Sequence, residues 1–222
     1  MLWGVLQFPG SCDERDAVRA CSLAGDARLI WHEDRDLGGV DAVVVPGGFS
    51  YGDYLRAGAI ARFSPAMESV AEFAAAGGPV LGICNGFQVL CEAGLLPGAL
   101  LRNEELRFVC RQVDLIAGEA SSPFLAGIEA GEALSIPVKH GEGRYHAPSE
   151  ILEEIEANGQ VAFRYAPGQN PNGSVADIAG VLNEAGNVLG LMPHPEHAVD
   201  PVTGSTDGLK IFSAASSALA NG

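Results

Sequence analysis

Apolar positions along the chain fall into short runs separated by helical patterns, and the style of run changes midway. Residues 2–8 read as a buried strand closed by Pro9-Gly10-Ser11. Residues 13–23 then read as a helix with Ala17, Val18 and Cys21 toward one face. Two more short apolar runs follow at 27–31 and 40–45. The second is β-branched and does not alternate, as expected of a strand covered on both faces. Pro46-Gly47-Gly48 ends it. Residues 65–76 carry a helical pattern that stops at Gly77-Gly78, a usual C-terminal signal. A strand over 79–83 runs into a bend at Cys84, and a helix continues to about residue 91. Strand–helix alternation of this kind predicts a parallel sheet with helices on both faces.

Beyond residue 100 the pattern becomes that of antiparallel strands. Residues 108–116 alternate, and 133–138 and 161–165 are expected to pair in the same way. Residues 175–181 and 187–192 flank the turn Glu184-Ala185-Gly186-Asn187 and resemble a hairpin. A closing helix spans 206–219. The chain has no internal repeat, low-complexity tract or linker, so one domain over residues 1–222 is expected, an α/β fold with an antiparallel extension.

Composition narrows the functional classes. With 47% hydrophobic and 18% charged residues in a chain of 222, disorder is not expected and a substantial core is. A formal net charge of −15 argues against nucleic acid as a partner, which would need a basic patch. The five cysteines form no CxxC pair and are odd in number, so neither a disulfide framework nor a structural zinc site is expected. The N-terminal apolar run lacks the basic start of a signal peptide, and no run approaches the ~18 residues of a membrane span. A reducing cytoplasm fits best.

The candidate chemistry begins at Gly82-Ile83-Cys84-Asn85-Gly86-Phe87-Gln88. A strand running straight into a cysteine between turn-tolerant residues, with a helix after it, lifts a nucleophile onto a sharp bend. The helix N-terminus would favour the thiolate. Cys12, Cys21, Cys91 and Cys110 lack that context and read as small core or partly exposed residues. Far along the chain, Met192-Pro193-His194-Pro195-Glu196 follows a strand. Residues two apart in an extended segment share a face, so Glu196 can orient His194 as a base. His197 raises a metal-binding alternative, but the order His-Pro-Glu-His and the prolines oppose a helical H-E-x-x-H site, so no metal is expected. At the end of another strand, Gly47-Gly48 lets the backbone approach a ligand. The N–H groups of Gly48 and Asn85 would supply two oxyanion donors. Residues 139–145 read as a solvated glycine-rich loop, and 170–174 as a turn. The chain has no Gly-x-x-x-x-Gly-Lys-Ser/Thr loop and only two lysines, so ATP hydrolysis by this chain is not expected. The residues alone thus point to a cysteine hydrolase of unspecified substrate.

Gly82 to Gln88 together with His194-Pro195-Glu196 resembles the class I (triad) glutamine amidotransferases, of flavodoxin-like fold. Gln7-Phe8-Pro9-Gly10-Ser11, residues 46–56, His140-Gly141-Glu142-Gly143 and residues 190–196 are similar to the glutaminase subunits of phosphoribosylformylglycinamidine synthase, over residues 2 to about 212. The resemblance implies that Cys84 forms a glutamyl thioester, with His194 as base and acid and Glu196 assisting. It also implies that Gly48 and Asn85 hold the oxyanion and that Gln88, with the Gly47 and Phe49 turn, binds glutamine. Ammonia would pass to a separate synthetase subunit, joined by a small third subunit. ATP and Mg would belong to that synthetase, with no cofactor in this chain, and the product would be formylglycinamidine ribonucleotide. Two positions depart from the family pattern: His197 stands where an arginine is usual, and Lys139 where a small residue is. A γ-glutamyl peptidase of the same fold and a regulatory subunit without activity are the competing readings; preference for γ-glutamyl peptides, or an unreactive Cys84, would favour them.

Overall fold

A computed structural model describes residues 1–220. In chain order the strands are β1 (Leu2–Gln7), β2 (Asp26–Trp31), β3 (Ala42–Val45), β4 (Val80–Ile83), β5 (Ala99–Leu101), β6 (Val109–Ala117), β7 (Ala133–His140), β8 (Arg144–His146), β9 (Val161–Tyr165), β10 (Ile178–Leu182) and β11 (Val188–Leu191). The helices are α1 (Glu14–Ser22), α2 (Pro65–Ala75), α3 (Asn85–Glu92), α4 (Ser149–Ala157) and α5 (Gly208–Ala220).

One nine-stranded sheet runs in the order β2-β1-β3-β4-β11-β10-β9-β6-β7. From β2 to β11 every neighbour is parallel; from β11 to β7 every neighbour is antiparallel. The sheet is therefore parallel with an antiparallel extension, as the two styles of apolar run imply. The connection from β1 to β2 moves one way along the sheet and that from β3 to β4 the other. Right-handed crossovers then place α1 and α2 on opposite faces. Strands β3 and β4 are buried along their whole length, which is why their apolar residues do not alternate. In β7 the alternation is complete: Leu134, Ile136, Val138 and His140 are buried, and the residues between them are not.

Several expectations need correction. The buried face of α1 is made by Ala17, Ala20 and Cys21, with Val18 only half-buried against the core. Residues 175–177 form a 3-10 turn, so the hairpin strand β10 starts at Ile178. Helix α4 and the two-stranded β5–β8 ribbon were not expected at all. The helix buries only Ile155 fully, and each ribbon strand has three residues, too few to show a period.

Candidate active site

Cys84 sits on the bend between β4 and α3. Its φ of 49° and ψ of −103° are unusual for an L-residue, a conformation that costs about 1–3 kcal/mol and must be imposed by its surroundings. The surroundings are close. A Cβ on Gly86 would lie 1.8 Å from the Val45 carbonyl oxygen, and one on Gly82 would meet Leu90 and Gly86. Only glycine at these two places lets α3 pack onto β3 and β4. The Cys84 N–H donates to Leu191 O at 2.8 Å, tying the bend to β11.

That tie brings in His194. Strands β4 and β11 are parallel neighbours with Gly82 opposite Gly190 and Ile83 opposite Leu191, so the segment after β11 emerges beside Cys84. His194 and Glu196 are both buried, and Nδ1 lies 2.6 Å from Glu196 Oε1. Burial alone would lower the imidazole's pKa, but Glu196 and Cys84 outweigh it and hold His194 above the ordinary histidine value. Its Nε2 is buried and meets no hydrogen-bond partner among the described residues. A nitrogen in that condition is available to exchange a proton with a reacting group.

Cys84 and His194 both line a cavity of about 240 Å³. Gly48, Phe49, Asp53 and Gln88 line it from the parallel half, and Lys139, His140, Gly141 and Glu142 from the antiparallel half. Asn85 organises the first wall. Its Oδ1 accepts from the Ser50 N–H at 3.0 Å, and its Nδ2 donates to Gln88 Oε1 at 2.9 Å and Asp53 Oδ1 at 3.2 Å. The loop so held has positive φ at Tyr51, Gly52, Asp53 and Leu55, and needs those ties. Burial and the neighbouring Glu142 push the Asp53 carboxyl up to about 6. Gln88 Nε2 reaches across the cavity to Glu142 O at 2.6 Å.

The second wall is no solvated loop. His140 is buried with Nδ1 3.1 Å from Asn103 Oδ1 and Nε2 3.4 Å from Asn172 Nδ2. Because the Asn172 amide is a donor, His140 is the neutral Nδ1–H tautomer, consistent with burial lowering its pKa to about 4. Asn103 Oδ1 also accepts from the Gly143 N–H, and Asn172 Nδ2 donates to Gly143 O. Residues 170–174, which read as an ordinary turn, thus carry a buried asparagine that fixes the wall.

A model of the CobB/CobQ-like glutamine amidotransferase domain matches residues 3–216. The chain is 57% identical to the phosphoribosylformylglycinamidine synthase subunit PurQ of Streptomyces avermitilis, over 98% of this chain and 97% of the relative. It is 58% identical to the subunit of that name from Synechococcus elongatus, over 94% and 95%. The chain belongs to the CobB/CobQ-like glutamine amidotransferase family, on its PurQ branch. A chain in the structure of PurLQS from Thermotoga maritima superposes with a TM-score of 0.90 at 42% identity, covering 98% of each. A further glutamine amidotransferase from Thermotoga maritima shares the fold, with a TM-score of 0.63 at 15% identity, over 100% of this chain and 99% of the other.

In this amidotransferase chain the structure brings together Cys84, His194, Gly48, Gln88 and Phe49 around one cavity, with Glu196 and Asn85 directly behind. Gly47 is the exception. It is not among the residues lining the cavity, and a Cβ there would lie 2.4 Å from Asp13 Oδ2 and 2.8 Å from His194 Cε1, so glycine leaves room for both side chains. Sequence reading missed Asp13, Asp53, Lys139 and Glu142 as cavity residues. Asp13 is buried and accepts from Lys139 Nζ, with His197 Nε2 at 3.3 Å, so the two departures from the family pattern meet on one carboxylate. Asp13, His194, Glu196 and His197 each bring one ligand atom within 4.8 Å of the others. The Lys139 ammonium on Asp13 already supplies the positive charge a metal ion would bring.

Proposed function

We propose that this chain is the glutaminase subunit of phosphoribosylformylglycinamidine synthase, hydrolysing L-glutamine and delivering ammonia to a synthetase partner. The observation that carries the reading is a strained Cys84 and a Glu196-bound His194 on one small cavity, in a chain related to PurQ subunits over nearly its whole length.

Cys84 Sγ attacks the side-chain amide carbon of glutamine. The oxyanion that forms faces the N–H groups of Gly48 and Asn85, the latter one of the first helical N–H groups, which lack an intrahelical acceptor. His194 gives its proton to the departing nitrogen, ammonia leaves, and a glutamyl thioester remains. His194 then takes a proton from water as the oxygen adds to the thioester carbon. The C–S bond breaks, glutamate departs and the thiolate is restored. Glu196 holds the imidazole and offsets its charge throughout. Gln88 and Phe49 help to bind glutamine.

The synthetase uses the ammonia and ATP, with Mg bound on its own chain, to convert formylglycinamide ribonucleotide to the amidine. A small third subunit completes the assembly, in the reducing cytoplasm that a free thiol nucleophile needs. Exposed apolar side chains support docking beside the cavity: Phe49 and Phe108, which line it, are open to solvent, and Leu106, next to Phe108, is 76% exposed. Glutaminase activity of the isolated chain is expected to be low, since unpartnered hydrolysis wastes glutamine.

The test is Cys84→Ser in the assembled complex. Glutamine-dependent synthesis and labelling by a glutamine-analogue inactivator should both vanish, while synthesis from added ammonium persists. Retention of glutamine-dependent turnover would remove the reading.

A further inference from the structure

Behind the triad lies a second set of charges that takes no direct part in the hydrolysis. Asp13, immediately before α1, is 3% exposed. Its Oδ1 accepts from Lys139 Nζ and lies 3.3 Å from His197 Nε2, and its Oδ2 stands 3.7 Å from His194 Nδ1. The catalytic imidazole therefore faces two carboxylates, Glu196 in direct hydrogen bond and Asp13 one step farther. Lys139 lines the same cavity as Cys84, with its backbone oxygen 3.9 Å from Sγ.

We propose that the Asp13–Lys139 pair is a positioning dipole for the triad, with its negative end toward His194 and its positive end toward Cys84, so that it favours the thiolate–imidazolium form of the catalytic pair. The inference rests on the functional reading above. The fields sort in that way. Burial would raise the Asp13 carboxyl, but His197 first, then His194 and Lys139, hold it well below the usual carboxylate range. Burial would lower the Lys139 pKa, but Asp13 first, then Glu196 and Cys84, keep it raised. A cation lining the cavity that holds Cys84 favours negative charge developing there. The other titratable groups facing this set are Glu196, His140, His197, Cys12 and Tyr165, with Cys21 facing Glu196. They are the same in every variant below.

The signature is a pair of opposite displacements. Activity of a thiolate–imidazolium pair against pH is bounded by formation of the pair on the acid side and loss of the imidazolium proton on the alkaline side, both macroscopic properties of the pair. Asp13→Asn leaves Lys139 uncompensated. The thiolate is then favoured and the imidazolium disfavoured, so both limbs move to lower pH. Lys139→Met leaves Asp13 uncompensated. The thiolate is disfavoured and the imidazolium favoured, so both limbs move to higher pH. The double variant should return toward the parent profile. Each single displacement should reach about 0.5 pH unit or more, which is about threefold in rate on a limb.

The experiment measures kcat/KM for glutamine against pH in the assembled complex, with ammonium-driven synthesis as the control that should not move. Opposite shifts in the two single variants and restoration in the double variant support the dipole. Lower rates on unmoved limbs, or shifts in the same direction, overturn it. If Asp13→Asn does not fold, Lys139→Met decides alone, since that side chain is one-third exposed; an unmoved profile there is equally fatal. A parent complex without glutamine-dependent turnover would instead overturn the functional reading, and this inference with it.

Discussion

The two halves of the sheet do different work at one cavity. The parallel half places reactive atoms by backbone geometry. Cys84, Gly48 and His194 all follow the C-terminal ends of parallel strands, where open α/β sheets bind ligands. The antiparallel half builds a wall whose position depends on side chains, chiefly the buried amides of Asn103 and Asn172 around His140. The difference teaches that the parallel half should fail by steric insult and the wall by loss or protonation of a polar group.

Four measurements would break or sharpen that contrast. Cys84→Ser should lower glutamine-dependent turnover by about 10³-fold or more, the scale on which loss of a nucleophile is felt. Unfolding in urea should show it folded. Next in size is Gly86→Ala. Its Cβ would be driven into Val45 O, and the α3 packing should weaken by about 3 kcal/mol, read as a lower urea midpoint. A neutral outcome would mean that the strand–helix contact is softer than its geometry implies.

The wall should respond to acid. His140 has a folded pKa of about 4, below the ordinary histidine value of 6.5. Between those values the unfolded chain binds more protons than the folded one, so the stability gained by keeping His140 neutral is full above pH 6.5. It is lost as pH falls toward 4, by about 3 kcal/mol in all. His140→Gln should flatten that part of the stability–pH curve, measured as urea midpoints at pH 7.5 and 4.5. An unchanged slope would place the acid sensitivity elsewhere. Smallest is Arg164→Ala at the outer surface. It removes an exposed ion pair with Glu156 and a bond to the Ala176 carbonyl, and should cost about 1 kcal/mol. A larger loss would show that the solvent side of β9 is less tolerant than its exposure suggests.

The same contrast explains what could be read from the chain in advance. Cys84 was legible because a buried strand, a nucleophile and small residues stand consecutively, and His194 with Glu196 because two residues suffice to pair them. Asp13 was not. Its partners Lys139 and His197 are 126 and 184 residues away, and an acidic residue before a helix ordinarily reads as a solvated cap. Residues 139–145 were misread for a related reason: charges and glycines predict solvent unless one knows that Asn103 and Asn172 fold over them. Gly47 was assigned to substrate because paired glycines suggest a ligand, whereas the space it leaves is filled by Asp13 and His194.

The β4–β11 ladder has one more consequence, for tolerance to insertion. Cys84 and His194 are 110 positions apart in the chain, yet their relative placement is set by a hydrogen-bonded register only a few residues long, Val80 opposite Val188 through Ile83 opposite Leu191. Nothing in that register measures how much chain lies between the two strands. Extra residues at the exposed Gly127 and Gly131 turns would lengthen the excursion without altering the return. The site is thus insulated from growth of its own intervening sequence, and such segments are where new partner contacts can be added while the reacting pair stays in place.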